Sequence, residues 1–155
     1  MESDIVSAFL EVFGDDLVSI VLYGSYARGE QRRDSDIDLL IVLNEIKDRY
    51  EVMQKFLKVE KILDRTLYES LRKRGYDPYV SPYFLDVDSA SRFRPLYIDI
   101  VFDAKILYDK GDVMKRTFEK VRKRLEELGA KRVKLGNSHY VILTKVRPGE
   151  VIVYE

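Results

Sequence analysis

An α/β (α+β) fold, a mixed sheet flanked by helices, is predicted by three observations. Short β-branched and aliphatic runs at 17–23 and 36–43, the second after two carboxylates, are the pattern of buried strands. Segments at 4–13, 46–71 and 112–128 repeat their apolar residues at three- and four-residue spacing, the pattern of helices that lie on a sheet. The tail alternates briefly at 140–143 and 151–154 around Arg147-Pro148-Gly149, which predicts a small terminal hairpin. Interspersed strands and helices bury their apolar faces in one layered core.

Taken in order, Ile5, Val6, Phe9, Leu10 and Phe13 share one helical face, with Ser3 or Asp4 as cap and Gly14 as stop. The run 17–23 is a buried strand that ends at Gly24. The run 36–43 opens with Asp36-Ile37-Asp38 and reads as a second strand of the same sheet, with both aspartates on one face and Ile37, Leu39 and Ile41 on the other. Ile46, Tyr50, Met53 and Leu57, then Val59, Leu63, Leu67 and Leu71, predict one long helix or two abutting ones ending by Gly75. Two prolines near 79–85 mark an edge strand, and 86–95 reads as a polar loop. The stretch 96–102 reads as a strand holding Asp99, and Met114, Phe118, Val121, Leu125 and Leu128 place a helix over 112–128. Residues 1–129 are expected to form the main domain and 130–155 a hairpin extension of it.

The chemistry concentrates in 24–38. Gly24 lets a backbone come close to a ligand, Ser25 adds a hydroxyl, and N–H groups of Ser25 and Tyr26 at the start of a short helix would face an anion. Ten residues on, Asp36 and Asp38 stand side by side, and two such carboxylates repel unless a cation neutralises them. An oxygen-only pair suits Mg²⁺, which completes its shell with water and substrate phosphates. A phosphate cradle facing a magnesium site implies a nucleoside triphosphate.

Gly24-Ser25-Tyr26-Ala27-Arg28-Gly29 followed by Ser35-Asp36-Ile37-Asp38-Leu39-Leu40-Ile41-Val42 resembles the signature of the polymerase β-like nucleotidyltransferase superfamily, and within it the minimal nucleotidyltransferases that act as antitoxins of HEPN gene pairs. The resemblance covers most of the chain, strongly at 20–43 and 96–111. It implies a third carboxylate on a later strand, for which Asp99 is the candidate and Asp103, at the strand exit, the weaker rival, with Asp36, Asp38 and Asp99 as catalytic and metal-binding residues and two Mg²⁺ ions. The nucleotide-binding candidates are Gly24, Ser25 and Arg28, and the resemblance implies ATP as the substrate. Read on its own strand pattern, an unpaired Asp99 would be costly, so a metal or pairing with Arg92 or Arg94 is expected there. The resemblance further implies AMP transfer to a tyrosine of a HEPN-domain partner. Two alternatives stand beside it: a small-molecule transferase like the antibiotic-modifying relatives, and a non-catalytic binding antitoxin.

Composition bounds these readings. The 155 residues suit one domain with a real core, and 27 basic side chains balance 27 acidic ones, so total charge gives no sign of bulk nucleic-acid affinity. The balance is uneven along the chain, because 115–134 holds nine Lys or Arg against three Glu. With no cysteine, disulfides, thiolate metal sites and cysteine nucleophiles are excluded. No apolar stretch reaches membrane-spanning length, and a cytoplasmic protein is expected. His139 is the single histidine and is expected to be structural or at the surface.

Overall fold

The computed structural model describes residues 1–152. Helix α1 spans Glu2–Phe13, strand β1 Leu17–Tyr23 and the short helix α2 Gly24–Arg28. Strand β2 is Ile37–Leu43; helix α3, Arg49–Leu63, continues through a π-type turn at Asp64–Tyr68 into helix α4, Glu69–Lys73. Strand β3 follows at Val80–Asp86, then the short helices α5, Val87–Ala90, and α6, Pro95–Ile100. Strand β4, Lys105–Asp109, helix α7, Val113–Glu127, and strands β5, Ala130–Leu135, and β6, Ser138–Leu143, complete the fold.

The main sheet is mixed, in the order β3-β2-β1-β4, with β1 antiparallel to both neighbours and β2 parallel to β3. Both faces of β1 and β2 are covered, which is why their sequences read as unbroken apolar runs. Ile20, Leu22, Ile37, Leu39 and Ile41 face α1, α3 and α4, whereas Val21, Leu40 and Val42 face α6 and α7. Asp38 alternates with Leu39 and so shares the second face with Leu40. On the first side Phe9, Phe13, Phe56 and Phe84 form a ring of aromatic contacts, with centroids 5.8–6.2 Å apart, that binds α1, α3 and β3 together. Tyr68 on the π-type turn ties the same layer to the edge strand: its hydroxyl donates to Glu60 Oε1 at 2.6 Å and accepts from the Val80 N–H at 3.0 Å.

Four expectations are corrected. Residues 95–100 are helical, because Pro95 occupies the first turn, where its fixed φ and missing N–H cost nothing. Tyr97, Ile100 and Val101 are then all buried at helical spacing, and Asp99 lies on the exposed side instead of sharing a face with Tyr97 and Val101. The strand beside β1 is 105–109, and the buried Ser19 fastens it by donating to the Tyr108 carbonyl at 2.9 Å. The hairpin pairs 130–135 with 138–143 across a two-residue Gly136-Asn137 turn, in place of 140–143 with 151–154; residues 153–154 of that predicted strand lie outside the described residues. Helix α1 starts at Glu2 with Met1 before it, so neither Ser3 nor Asp4 caps it; and 87–90, read as loop, forms a helical turn whose Asp86 side chain accepts from the Ser89 N–H at 2.7 Å.

Candidate active site

The site lies where β1 turns into α2. Tyr23 closes the strand and pairs across the ladder with Asp38, so the carboxylate comes to rest beside the turn. Gly24 has φ +72°, and a Cβ built on it would sit 2.3 Å from Asp38 Oδ2. The position therefore needs glycine for two reasons: its backbone is left-handed, and the space a side chain would fill belongs to the carboxylate. Gly29, with φ +70°, ends α2, and the Glu30 N–H closes the turn on the Ser25 carbonyl at 2.9 Å.

Asp38 is half-buried, and its carboxyl is raised above the usual carboxylate range, chiefly by burial and then by the charge of Asp36, with Arg28 opposing. Burial, then Asp38 and Tyr83, also raises the Tyr23 phenol. Asp36 is exposed and precedes the first residue of β2. Two repelling carboxylates on one strand end, facing a turn where a Cβ would clash, fit a hard divalent cation with oxygen ligands such as Mg²⁺.

Of the residues singled out in the sequence, Gly24, Arg28, Asp38 and Asp99 line one pocket of about 260 Å³. Ser25 and Asp36 stand outside its wall, on the same turn and strand end. Asp99 arrives from α6, exposed and, among the described residues, without an ion-pair partner, so the expected burial cost does not arise there; Arg92 instead pairs with Asp88, and Arg94 donates to the Ser89 carbonyl. Asp36, Asp38 and Asp99 are not drawn into a single cluster of three among the described residues. The edge strand β3 sets Ser81 beside Asp38 and carries no carboxylate before Asp86 at its far end.

The remaining pocket wall comes from the hairpin, as Arg132, Asn137, His139 and Val141. Sequence reasoning missed all four, although Gly136-Asn137 between alternating segments is a hairpin signal. His139, expected to be structural or at the surface, is 17% exposed, and its Nε2 faces Glu30 Oε2 at 3.1 Å. Glu30 also accepts from Lys134 Nζ at 3.0 Å and Arg28 Nε at 3.1 Å, and hydrogen bonds with Lys134 first, then His139 and Arg28, hold its carboxyl down at about 2. The hairpin is thus fastened to the loop that follows α2.

A nucleotidyltransferase domain model matches residues 3–146, nearly the whole chain. The chain belongs to the nucleotidyltransferase domain family. Its members carry an enzymatic activity, and this chain is similar to a Methanocaldococcus jannaschii protein named a putative protein adenylyltransferase, at 31% identity over 79% of this chain and 82% of that one. A second protein of the same description and organism is 39% identical over 40% of this chain and 64% of its own length. The nucleotidyltransferase fold is shared with the crystal structure of a toxin–antitoxin with AMP-PNP, at a TM-score of 0.50 and 21% identity over 83% of this chain and 92% of that one. Among the described residues no helix is long and apolar enough to cross a membrane.

Proposed function

We propose that this nucleotidyltransferase moves AMP from ATP to a hydroxyl of a protein partner. The observation that carries the reading is the Asp36-Ile37-Asp38 strand end seated against the Gly24 turn, where no side chain fits between carboxylate and backbone. A divalent cation held by Asp36 and Asp38 would neutralise charge on the phosphates. Gly24 leaves room for a phosphate to approach the backbone, and the first turn of α2 leaves N–H groups without helical partners. Asp99, which lines the same pocket as Asp38 and has no ion pair among the described residues, is the base for the acceptor hydroxyl, whose oxygen attacks the α-phosphorus in line as pyrophosphate departs. Arg28, on the pocket wall, stabilises the departing charge.

The acceptor is a tyrosine of a HEPN-domain toxin, and the chain acts as its antitoxin. Support comes from the relatives named as protein adenylyltransferases and from the fold shared with the toxin–antitoxin that holds AMP-PNP. The test is to incubate the chain with ATP, Mg²⁺ and the product of the neighbouring gene, and to weigh that product by intact-mass spectrometry. A gain of one or more AMP units that disappears with Asp38→Asn is expected. An unchanged mass sinks the protein-acceptor reading, and neutralisation of the partner that survives Asp38→Asn replaces it with inhibition by binding alone.

A further inference from the structure

Strand alternation turns Arg132 and Lys134 of β5, and His139 and Val141 of β6, toward the site, while Lys131, Tyr140 and Ile142 face solvent. Arg132 and His139, with Arg28, line both the catalytic pocket and an adjoining cavity of about 470 Å³ that Lys134, Glu30 and Asp103 help to enclose. The two hollows share these three side chains, so the carboxylates of the sheet adjoin Arg28, Arg132 and Lys134, which outnumber Glu30 and Asp103 beside them. A triphosphate with its α-phosphorus by Asp38 carries most of its charge on the β- and γ-phosphates, and attraction directs that tail toward the cations and away from Asp36.

Arg132 is equipped to receive it. One guanidinium nitrogen, Nη1, is paired with Asp103, but among the described residues its buried Nη2 meets no acceptor, and Asp103 Oδ2 is likewise left over. A guanidinium presents its donors as a planar fork that matches phosphate oxygens, so a half-used fork beside a triphosphate path is a phosphate ligand in waiting. The hairpin that carries it is held at both ends. Glu30 grips Lys134 and His139 near the turn, and at the base Gly129 leaves no room for a Cβ beside Thr144 Oγ1, which donates to the Gly129 carbonyl at 2.8 Å.

We propose that Arg132, delivered by the β5–β6 hairpin, is a triphosphate-binding residue that holds the β- and γ-phosphates together with Arg28. This deepens the reading of the site as one for ATP and rests on it. The test measures ATP and AMP binding to the intact chain by calorimetry with Mg²⁺ present, for the wild type, Arg132→Gln, Arg132→Lys, Asp103→Asn and the outward-facing control Lys131→Gln. The expected result is an ATP affinity at least tenfold weaker in Arg132→Gln with AMP affinity within twofold, partial recovery in Arg132→Lys, and no change in Lys131→Gln. Asp103→Asn separates ligand from scaffold: it frees the guanidinium and should leave ATP binding equal or tighter. The proposal is overturned if Arg132→Gln binds ATP within twofold of wild type, if it loses ATP and AMP equally, or if Asp103→Asn reproduces the ATP loss. A wild-type chain that binds neither nucleotide overturns the ATP reading itself, an outcome distinct from those three.

Discussion

Replacing Gly24 by alanine separates two effects that the structure superposes. The left-handed backbone at φ +72° costs an alanine about 1–2 kcal/mol. For a chain of this size that lowers the melting temperature by roughly 2–8 °C and leaves a folded protein. The second effect is local. The new Cβ would stand 2.3 Å from Asp38 Oδ2, where ordinary contact begins at 3.4 Å, so the carboxylate must retreat by about 1 Å. Misplacing a catalytic group that far costs on the order of 10²-fold in rate. Pyrophosphate release with saturating ATP and acceptor reads the rate, and a thermal melt reads stability. Gly14→Ala is the control, because Gly14 also has positive φ, +54°, but nothing lies within 4 Å of the added Cβ. It should show a stability loss at least as large, because ψ −130° takes Gly14 outside the left-handed helical well, and a wild-type rate. A Gly24→Ala enzyme that works at the wild-type rate, or whose deficit matches that of Gly14→Ala, refutes the reasoning that Asp38 depends on an empty Cβ position.

Asp38→Asn should reduce pyrophosphate release to background with the circular-dichroism spectrum unchanged, whereas Asp99→Asn should lower kcat by about 10²–10⁴-fold with little effect on the KM for ATP; equal, small losses in both would remove the base role from Asp99. Tyr68→Phe strands the buried Val80 N–H and the Glu60 carboxylate, and urea unfolding should report a loss of about 1–3 kcal/mol, with a loss near zero contradicting the link between the π-type turn and β3. Phe56→Ala, at the centre of the aromatic ring, should cost about 3–5 kcal/mol by the same measurement. Glu30 sets a pH signature. Its carboxyl sits at about 2 in the folded chain against 4.5 ordinarily, so between those values the unfolded chain binds more protons and Glu30's contribution is complete above 4.5 and lost as pH falls toward 2. The difference in melting temperature between wild type and Glu30→Gln should hold steady above pH 4.5 and close below it; a gap that persists unchanged in acid shows that Glu30 does not hold the hairpin as a charge.

The segments that were legible as sequence are those whose local pattern and burial agree. Leu17–Tyr23 and Ile37–Leu43 are apolar on both faces because both faces are covered, and α7 shows its inward stripe of Met114, Phe118, Val121 and Leu125 directly. Residues 95–101 misled because Tyr97-Ile98-Asp99-Ile100-Val101 is short enough to satisfy two periods at once. Pro95 at the first helical turn and the joint burial of Tyr97, Ile100 and Val101 decide for the helix. The hairpin misled for a different reason: Lys131, Arg132 and Lys134 count only as part of the basic stretch 115–134, although Arg132 and Lys134 alternate toward the site.

The amino-acid sequence by itself determined the class of the fold and the chemistry of the turn, since Gly24 and the Asp36-Ile37-Asp38 pair act through bonds and spacings set within a strand, a turn and the next strand. Only the tertiary structure decided what faces them. Asp99 from α6 and Arg132 and His139 from the hairpin reach the same pocket across more than sixty residues of chain, and their presence there depends on the packing of α6 and the hairpin over the sheet and on the grip of Glu30. Such contacts are long-range consequences of burial and charge pairing, and no local period in the sequence records them.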